Sequence, residues 1–168
     1  INEYSKAVDE FIQTLSRFTQ QEINKVPFKG SWTAGQVARH ILKALGGMPE
    51  LLLFGEVKKT ERAPDEKIKE IEDTFLNFNV KFKSPDFIIP ENITYNKEEL
   101  INSLIDTKNK TVEAAKGKDL SLTSLAFEMP GMGFLTFYEL IDFSRVHTIR
   151  HNRQLKNIHE KSGEVATA

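Results

Sequence analysis

The sequence predicts an all-α protein, a four-helix bundle whose middle is spanned by one long crossing loop. Three observations predict it. Apolar residues recur at helical spacing in four separate segments, capping signatures open three of them, and the stretch between the second and third is broken by proline and alternating aromatics.

The first segment carries Tyr4, Val8, Phe11, Ile12, Leu15 and Phe18 on one helical face, and Pro27, Gly30 and Ser31 break it. The second helix begins at Thr33, with Gln36 three residues on as a capping box, and its apolar stripe includes Val37, Ile41 and Leu45. Gly46, Gly47 and Pro49 interrupt or bend it before Leu51, Leu52 and Leu53. Residues 64–76 read as a further helical piece, polar on most sides. Between Asn77 and Tyr95, Phe78, Val80 and Phe82 alternate with polar residues and Pro85 and Pro90 follow. A lone strand there would lack a partner, so the reading is an ordered loop that lays its aromatics on the bundle. Asn96 and Glu99 open a helix that buries Leu100, Leu104, Thr111 and Ala115 and ends at Gly117. A second loop carries Met129, Pro130, Gly131, Met132 and Gly133. Thr136 and Glu139 then form another capping box, opening a long helix that runs to about His159.

Composition narrows the functional classes. The 168 residues read as a single domain over 1–168, with 39% hydrophobic and 28% charged residues, enough for a core without staples. The 23 basic and 24 acidic residues are spread along the chain and leave a net charge of −1, which gives nucleic acid and anionic membranes no electrostatic hold. There is no cysteine, so a protein thiol nucleophile is excluded and any metal site uses nitrogen and oxygen ligands. The longest apolar stretch, near Leu51 to Phe54, is too short to span a bilayer, and no signal-peptide pattern opens the chain. A cytoplasmic location is expected.

Four histidines remain, and three stand in suggestive places. His147 and His151 lie one turn apart on one face of the last helix, a spacing at which two ring nitrogens reach one ion. Leu140, Ser144, His147, His151, Leu155 and Ile158 trace the inward stripe, while Arg145, Arg153 and Lys156 lie away from it. Imidazoles on a core-facing stripe need partners, because burying unpaired polar groups costs free energy. His40, one turn into the second helix, is the natural third ligand, since ligands from facing helices converge in a bundle core. No spacing rule ties it to the pair, and a helical His-x-x-x-His pair serves equally as hydrogen-bonded core or surface histidines. His159 falls at the end of the last helix and is expected in solvent.

With these residues in place the chain resembles the DinB-like superfamily, which includes the YfiT-type proteins. The resemblance rests on Trp32-Thr33 with Gln36 and His40, on Pro130-Gly131-Met132-Gly133-Phe134-Leu135-Thr136 with Glu139, and on His147-Thr148-Ile149-Arg150-His151 with Gln154. The order and separation of these blocks match over nearly the whole chain. The resemblance implies a bundle with an up-down-down-up connection, metal ligands at His40, His147 and His151, and self-association as a homodimer. Some relatives are S-transferases or isomerases that use a low-molecular-weight thiol, and others are regarded as metal-dependent hydrolases. The resemblance supplies a site without a substrate.

Three neutral imidazoles leave an ion's charge uncompensated and one position open, where a bound water can approach a pKa of about 7 or a thiolate can bind. All-nitrogen ligation suits zinc, nickel, copper or iron, with zinc or nickel the expected ion. Position 148 is Thr, so no glutamate stands beside the first histidine as a general base. Gln36 and Gln154 are candidates for orienting water or substrate, set against a cap and a solvated or ring-supporting amide. Arg150 either pairs with an anionic substrate or is a surface or salt-bridge residue. Trp32 reads as a packing anchor, and Met129, Met132 and Phe134 wall the site or belong to the core. The expected function is a metal-dependent enzyme acting on a small molecule. The rival readings are a non-enzymatic bundle, with a structural metal (Glu128 the best fourth ligand) or with three histidines that merely bond one another, and an interaction or stress-response module that works through its surface.

Overall fold

Where apolar residues recur every three or four positions, the chain coils. The computed structural model describes residues 1–166, with side chains for 1–161. Helix α1, Asn2–Ser16, buries Tyr4, Val8, Phe11 and Leu15 along one stripe, and Phe18 follows beyond its end at 1% exposure. Helix α2, Ala34–Gly46, starts at the expected box: the Gln36 amide N–H donates to Thr33 Oγ1 at 3.1 Å and the Thr33 N–H to Gln36 Oε1 at 2.9 Å. The glycines after it bend the chain without stopping it, since helix α3, Met48–Phe54, resumes at once with Pro49 in its first turn.

Helix α4, Ile68–Phe75, begins later than the sequence suggests because residues 64–67 are spent in turns. Helix α5, Lys97–Ala115, is capped by Asn96, whose side chain accepts the Glu99 N–H at 3.1 Å. It buries Leu100, Leu104 and Thr111 as expected, but Ala114 rather than Ala115 completes the face. Gly117, at φ +71°, takes the left-handed conformation that ends it. Helix α6, Phe137–Ala166, continues past His159.

Helices α1 and α2 each pack against both α5 and α6, with α3 laid on α5 and α4 on α6. The protein is mostly helical, and the all-α expectation needs one correction. Strands β1 (Val57–Lys58), β2 (Thr123–Met129) and β3 (Gly133–Thr136) form a small antiparallel sheet in that order. Val57 faces Ser124, Thr123 faces Thr136 and Met129 faces Gly133. What reads as a loop at Met129–Gly133 is the turn of this hairpin, with Gly131 and Gly133 both at positive φ. Its strand escapes notice because an irregularity between Thr123 and Glu128 breaks the register, leaving no period-two burial. The Phe78–Phe82 stretch forms no strand. No described helix is long and apolar enough to cross a membrane.

The start of α6 is fixed by a buried ion pair. The Glu139 side chain, with no exposure, accepts from both terminal nitrogens of Arg62 at 2.6 Å, and from the Thr136 and Lys67 backbone N–H groups at 2.9 Å each. A carboxylate at a helix N-terminus also suits the helix dipole. The clasp ties the chain entering α4 to the helix that carries two of the three histidines.

Candidate metal centre

His40 projects from the middle of α2 and is 1% exposed. His147, at 8%, and His151, partly exposed, project from α6 on the stripe that also buries Leu140, Ser144, Leu155 and Ile158. Because α2 packs on α6, the three rings meet. His40 Nε2 lies 3.2 Å from His147 Nε2 and 3.1 Å from His151 Nε2. Among the described residues these three form the one group of potential ligands able to share an ion, and no carboxylate joins it.

The far side of each ring decides what the near side can do. His40 Nδ1 is 2.9 Å from the Ile88 carbonyl, which only accepts, so this nitrogen carries the proton. His151 Nδ1 is 2.8 Å from Gln154 Oε1, and with the amide in that orientation this nitrogen carries the proton too. Both Nε2 atoms therefore present lone pairs, 3.1 Å apart and aimed at each other's space. Two acceptors at that distance repel unless something positive lies between them.

A proton suits the place poorly. Burial pushes the His151 imidazolium down to about 3, with the neighbouring His40 adding to the effect. Burial, then His151, His40 and Arg150, hold His147 well below the usual histidine range, and burial lowers His40 as well. A metal cation suits it well. Three nitrogens held about 2.0–2.1 Å from a tetrahedral ion stand roughly 3.3 Å from one another, close to the spacings found here. His147 lies flat against Phe143, with ring centres 5.5 Å apart and planes 10° apart, and its Nδ1 is buried without a partner.

The remaining sequence candidates fall in different places. Gln154 holds His151 from behind, as just described. Gln36 serves the α2 capping box, one turn before His40. Arg150 turns towards the crossing loop: its guanidinium donates to the carbonyls of Phe75 (3.1 Å), Asn77 (3.0 Å) and Val80, and lies over the Phe82 ring at 4.9 Å. Trp32 leans on His40, with ring centres 5.1 Å apart. Met129 and Met132 sit in the core and Phe134 is 37% exposed.

Two expectations are corrected. Glu128 is exposed on β2 opposite Phe134 and lies outside the ligand group, because the strand geometry turns it to solvent. His159 is only partly exposed, since it packs edge-on against Phe18 at 4.9 Å. Sequence reasoning missed the Ile88 carbonyl altogether. It is a backbone group in a short turn between Pro85 and Pro90, with no side-chain signature. Sequence reasoning missed Phe143 as well, whose signal is its helical spacing, four residues before His147.

A mostly helical protein that gathers three histidines from two packed helices around a space fit for one cation defines the class. The chain belongs to the DinB superfamily, whose family model matches residues 3–155. No curated protein and no solved structure gives a significant match.

Proposed function

We propose that this chain is a metal-dependent enzyme that acts on a small molecule at a three-histidine divalent site, with zinc or nickel as the resident ion. The observation that carries the reading is the pair of lone pairs at His40 and His151, 3.1 Å apart, each ring having its proton committed on the opposite side. That arrangement costs free energy unless a cation sits among the rings. His40, His147 and His151 would hold it, and three protein ligands leave a coordination position free, the mark of a catalytic rather than a structural centre. Access comes from the side of His151, the one partly exposed ligand.

When bound, such an ion supplies Lewis acidity, which polarises a substrate oxygen and favours the deprotonated form of a water or thiol. The chain's own residues orient and enclose. Gln154 and the Ile88 carbonyl fix two rings, Phe143 backs the third, and Trp32 walls the His40 side. Thr148 offers no base, being fully buried with its hydroxyl donated to the Ser144 carbonyl at 2.8 Å. Within this reading the reaction is transfer to a low-molecular-weight thiol or hydrolysis. We read the four long helices as a four-helix bundle in up-down-down-up order, and the protein as a cytoplasmic homodimer without nucleic-acid or membrane partners.

One observation favours a second reading, a non-enzymatic bundle without metal. The unpartnered Nδ1 of His147 suits a neutral ring whose Nε2–H donates to His40 Nε2 at 3.2 Å. Metal analysis of protein purified without an affinity tag separates the two. Near one equivalent of metal, lost in His147→Ala, supports the enzyme reading, and a metal-free wild type rejects it. Titration of glutathione-like or bacillithiol-like thiols against cobalt-substituted protein then divides the sub-options. A thiolate-to-cobalt charge-transfer band favours transfer, and its absence favours hydrolysis.

A further inference from the structure

The loop that reaches His40 is fastened to α2 at three neighbouring points. The Ile88 carbonyl accepts from His40 Nδ1 at 2.9 Å, and the Ile89 carbonyl accepts from Lys43 Nζ at 2.8 Å. The Glu91 carboxylate bridges Lys43 Nζ at 2.9 Å and Arg39 Nε at 3.0 Å. Arg39 and Lys43 flank His40 in the sequence, one residue before and three after. From the other side the Tyr95 hydroxyl donates to the Glu91 carbonyl at 2.6 Å.

Beyond these points, Ile88 and Pro90 are buried and the Phe87 ring meets Phe127 edge-on at 6.4 Å, while Ile89 and Glu91 are exposed and the regular structure of the segment is the single turn Asp86–Ile88. A backbone carbonyl in such a segment stays where its anchors put it. Were it to move away, His40 would lose the acceptor for its Nδ1 proton. The ring would then be free to carry its proton on Nε2, the atom that must be bare to bind an ion.

We propose that Glu91 is a positioning residue for the metal centre: through Arg39 and Lys43 it seats the Ile88 carbonyl against His40 Nδ1, and so keeps the His40 Nε2 lone pair facing the ion. This rests on the metal reading above. Arg39, then Lys43, hold the Glu91 carboxyl down at about 2, so the clasp is charged at any pH at which the protein is handled.

The test uses the whole chain and Glu91→Gln, a change at an exposed side chain. Two quantities are read: zinc affinity by chelator competition, and the tautomer of His40 in metal-free protein from its imidazole nitrogen shifts. The expected result is zinc affinity about tenfold weaker at unchanged stoichiometry, with His40 shifting from an Nδ1–H form to a mixture. Arg39→Gln with Lys43→Gln breaks the clasp from the helix side and should give the same two changes. Asp106→Asn removes the Asp106–Lys110 ion pair on α5 and should change neither. An unchanged His40 spectrum in Glu91→Gln overturns the proposal, as does zinc affinity within twofold of wild type. A wild type that takes up no zinc sinks the metal reading instead, and the tautomer measurement still decides the clasp.

Discussion

The amide oxygen of Gln154 lies 2.8 Å from His151 Nδ1, on the next turn of the same helix, so the most exposed of the three rings is held from behind by a local contact. That contact predicts how Gln154 variants behave. In Gln154→Leu the Nδ1 proton loses its acceptor and the ring its orientation, and metal affinity should fall ten- to a hundredfold. Gln154→Glu replaces a neutral acceptor by an anionic one and should tighten binding. Both variants should unfold near the wild-type temperature, because the side chain is only partly buried. Chelator-competition titrations with parallel melting curves check this, and equal affinity in all three proteins would contradict it.

His147 predicts a trade between stability and function. It is a buried imidazole whose Nδ1 has no partner, flat on Phe143. Replacing it by Leu removes an unsatisfied polar atom while keeping most of the volume, so metal-free His147→Leu should be at least as stable as wild type. Added metal should stabilise the wild type by about 2.7 kcal/mol at a hundredfold excess over its dissociation constant and leave the variant unmoved. Thermal melts with and without zinc, and with chelator, measure both halves. A variant that still responds to zinc would show that His147 is not a ligand.

How far the sequence alone leads can be judged residue by residue. The helices on which the ligands stand announce themselves through Thr33–Gln36 and Thr136–Glu139, as α5 does through Asn96–Glu99, because a cap is a local interaction written within four residues. The convergence of His40 with His147 was legible once two amphipathic faces were assigned to one core. The hairpin at Thr123–Thr136 was not, since a strand with a broken register and a two-residue partner leaves no periodic trace. Nor was the Ile88 carbonyl, which depends on where a loop comes to rest. Arg150 shows the same limit: its position beside His151 left a substrate partner and a surface or salt-bridge residue equally open, and its three loop carbonyls are fixed only by the tertiary fold.

The buried clasp at the start of α6 makes stability depend on acid. Burial on its own would raise the Glu139 carboxyl, but the Arg62 side chain and the Thr136 and Lys67 backbone N–H groups outweigh it, and the net shift is below the ordinary 4.5. The unfolded chain therefore takes up a proton at this site before the folded one does. The stabilisation is complete above the ordinary carboxylate value and is lost as pH falls through the folded one. Urea unfolding of metal-free protein from neutral to about pH 3 should show stability falling below about pH 4.5, less steeply in Glu139→Gln. Arg62→Ala, which strands the carboxylate, should cost about 3 kcal/mol near neutrality. Parallel pH profiles for wild type and Glu139→Gln would refute the assignment.

Arg150 separates holding the loop from serving the metal. Its guanidinium closes the segment after α4 by donating to the carbonyls of Phe75, Asn77 and Val80 and covering Phe82, while its neighbour His151 faces the centre. A lysine cannot fork to three carbonyls, so Arg150→Lys should behave much like Arg150→Ala. Each should destabilise by about 1–3 kcal/mol, the scale of hydrogen bonds from a charged donor, and should speed amide exchange and proteolysis between residues 76 and 84. Zinc affinity should stay within a few-fold of wild type, since the ring of His151 is held by Gln154. Exchange mapped by mass spectrometry beside a zinc titration tests both expectations. Were Arg150→Lys to keep the loop protected yet lose activity on an anionic substrate, the guanidinium would belong to substrate recognition after all.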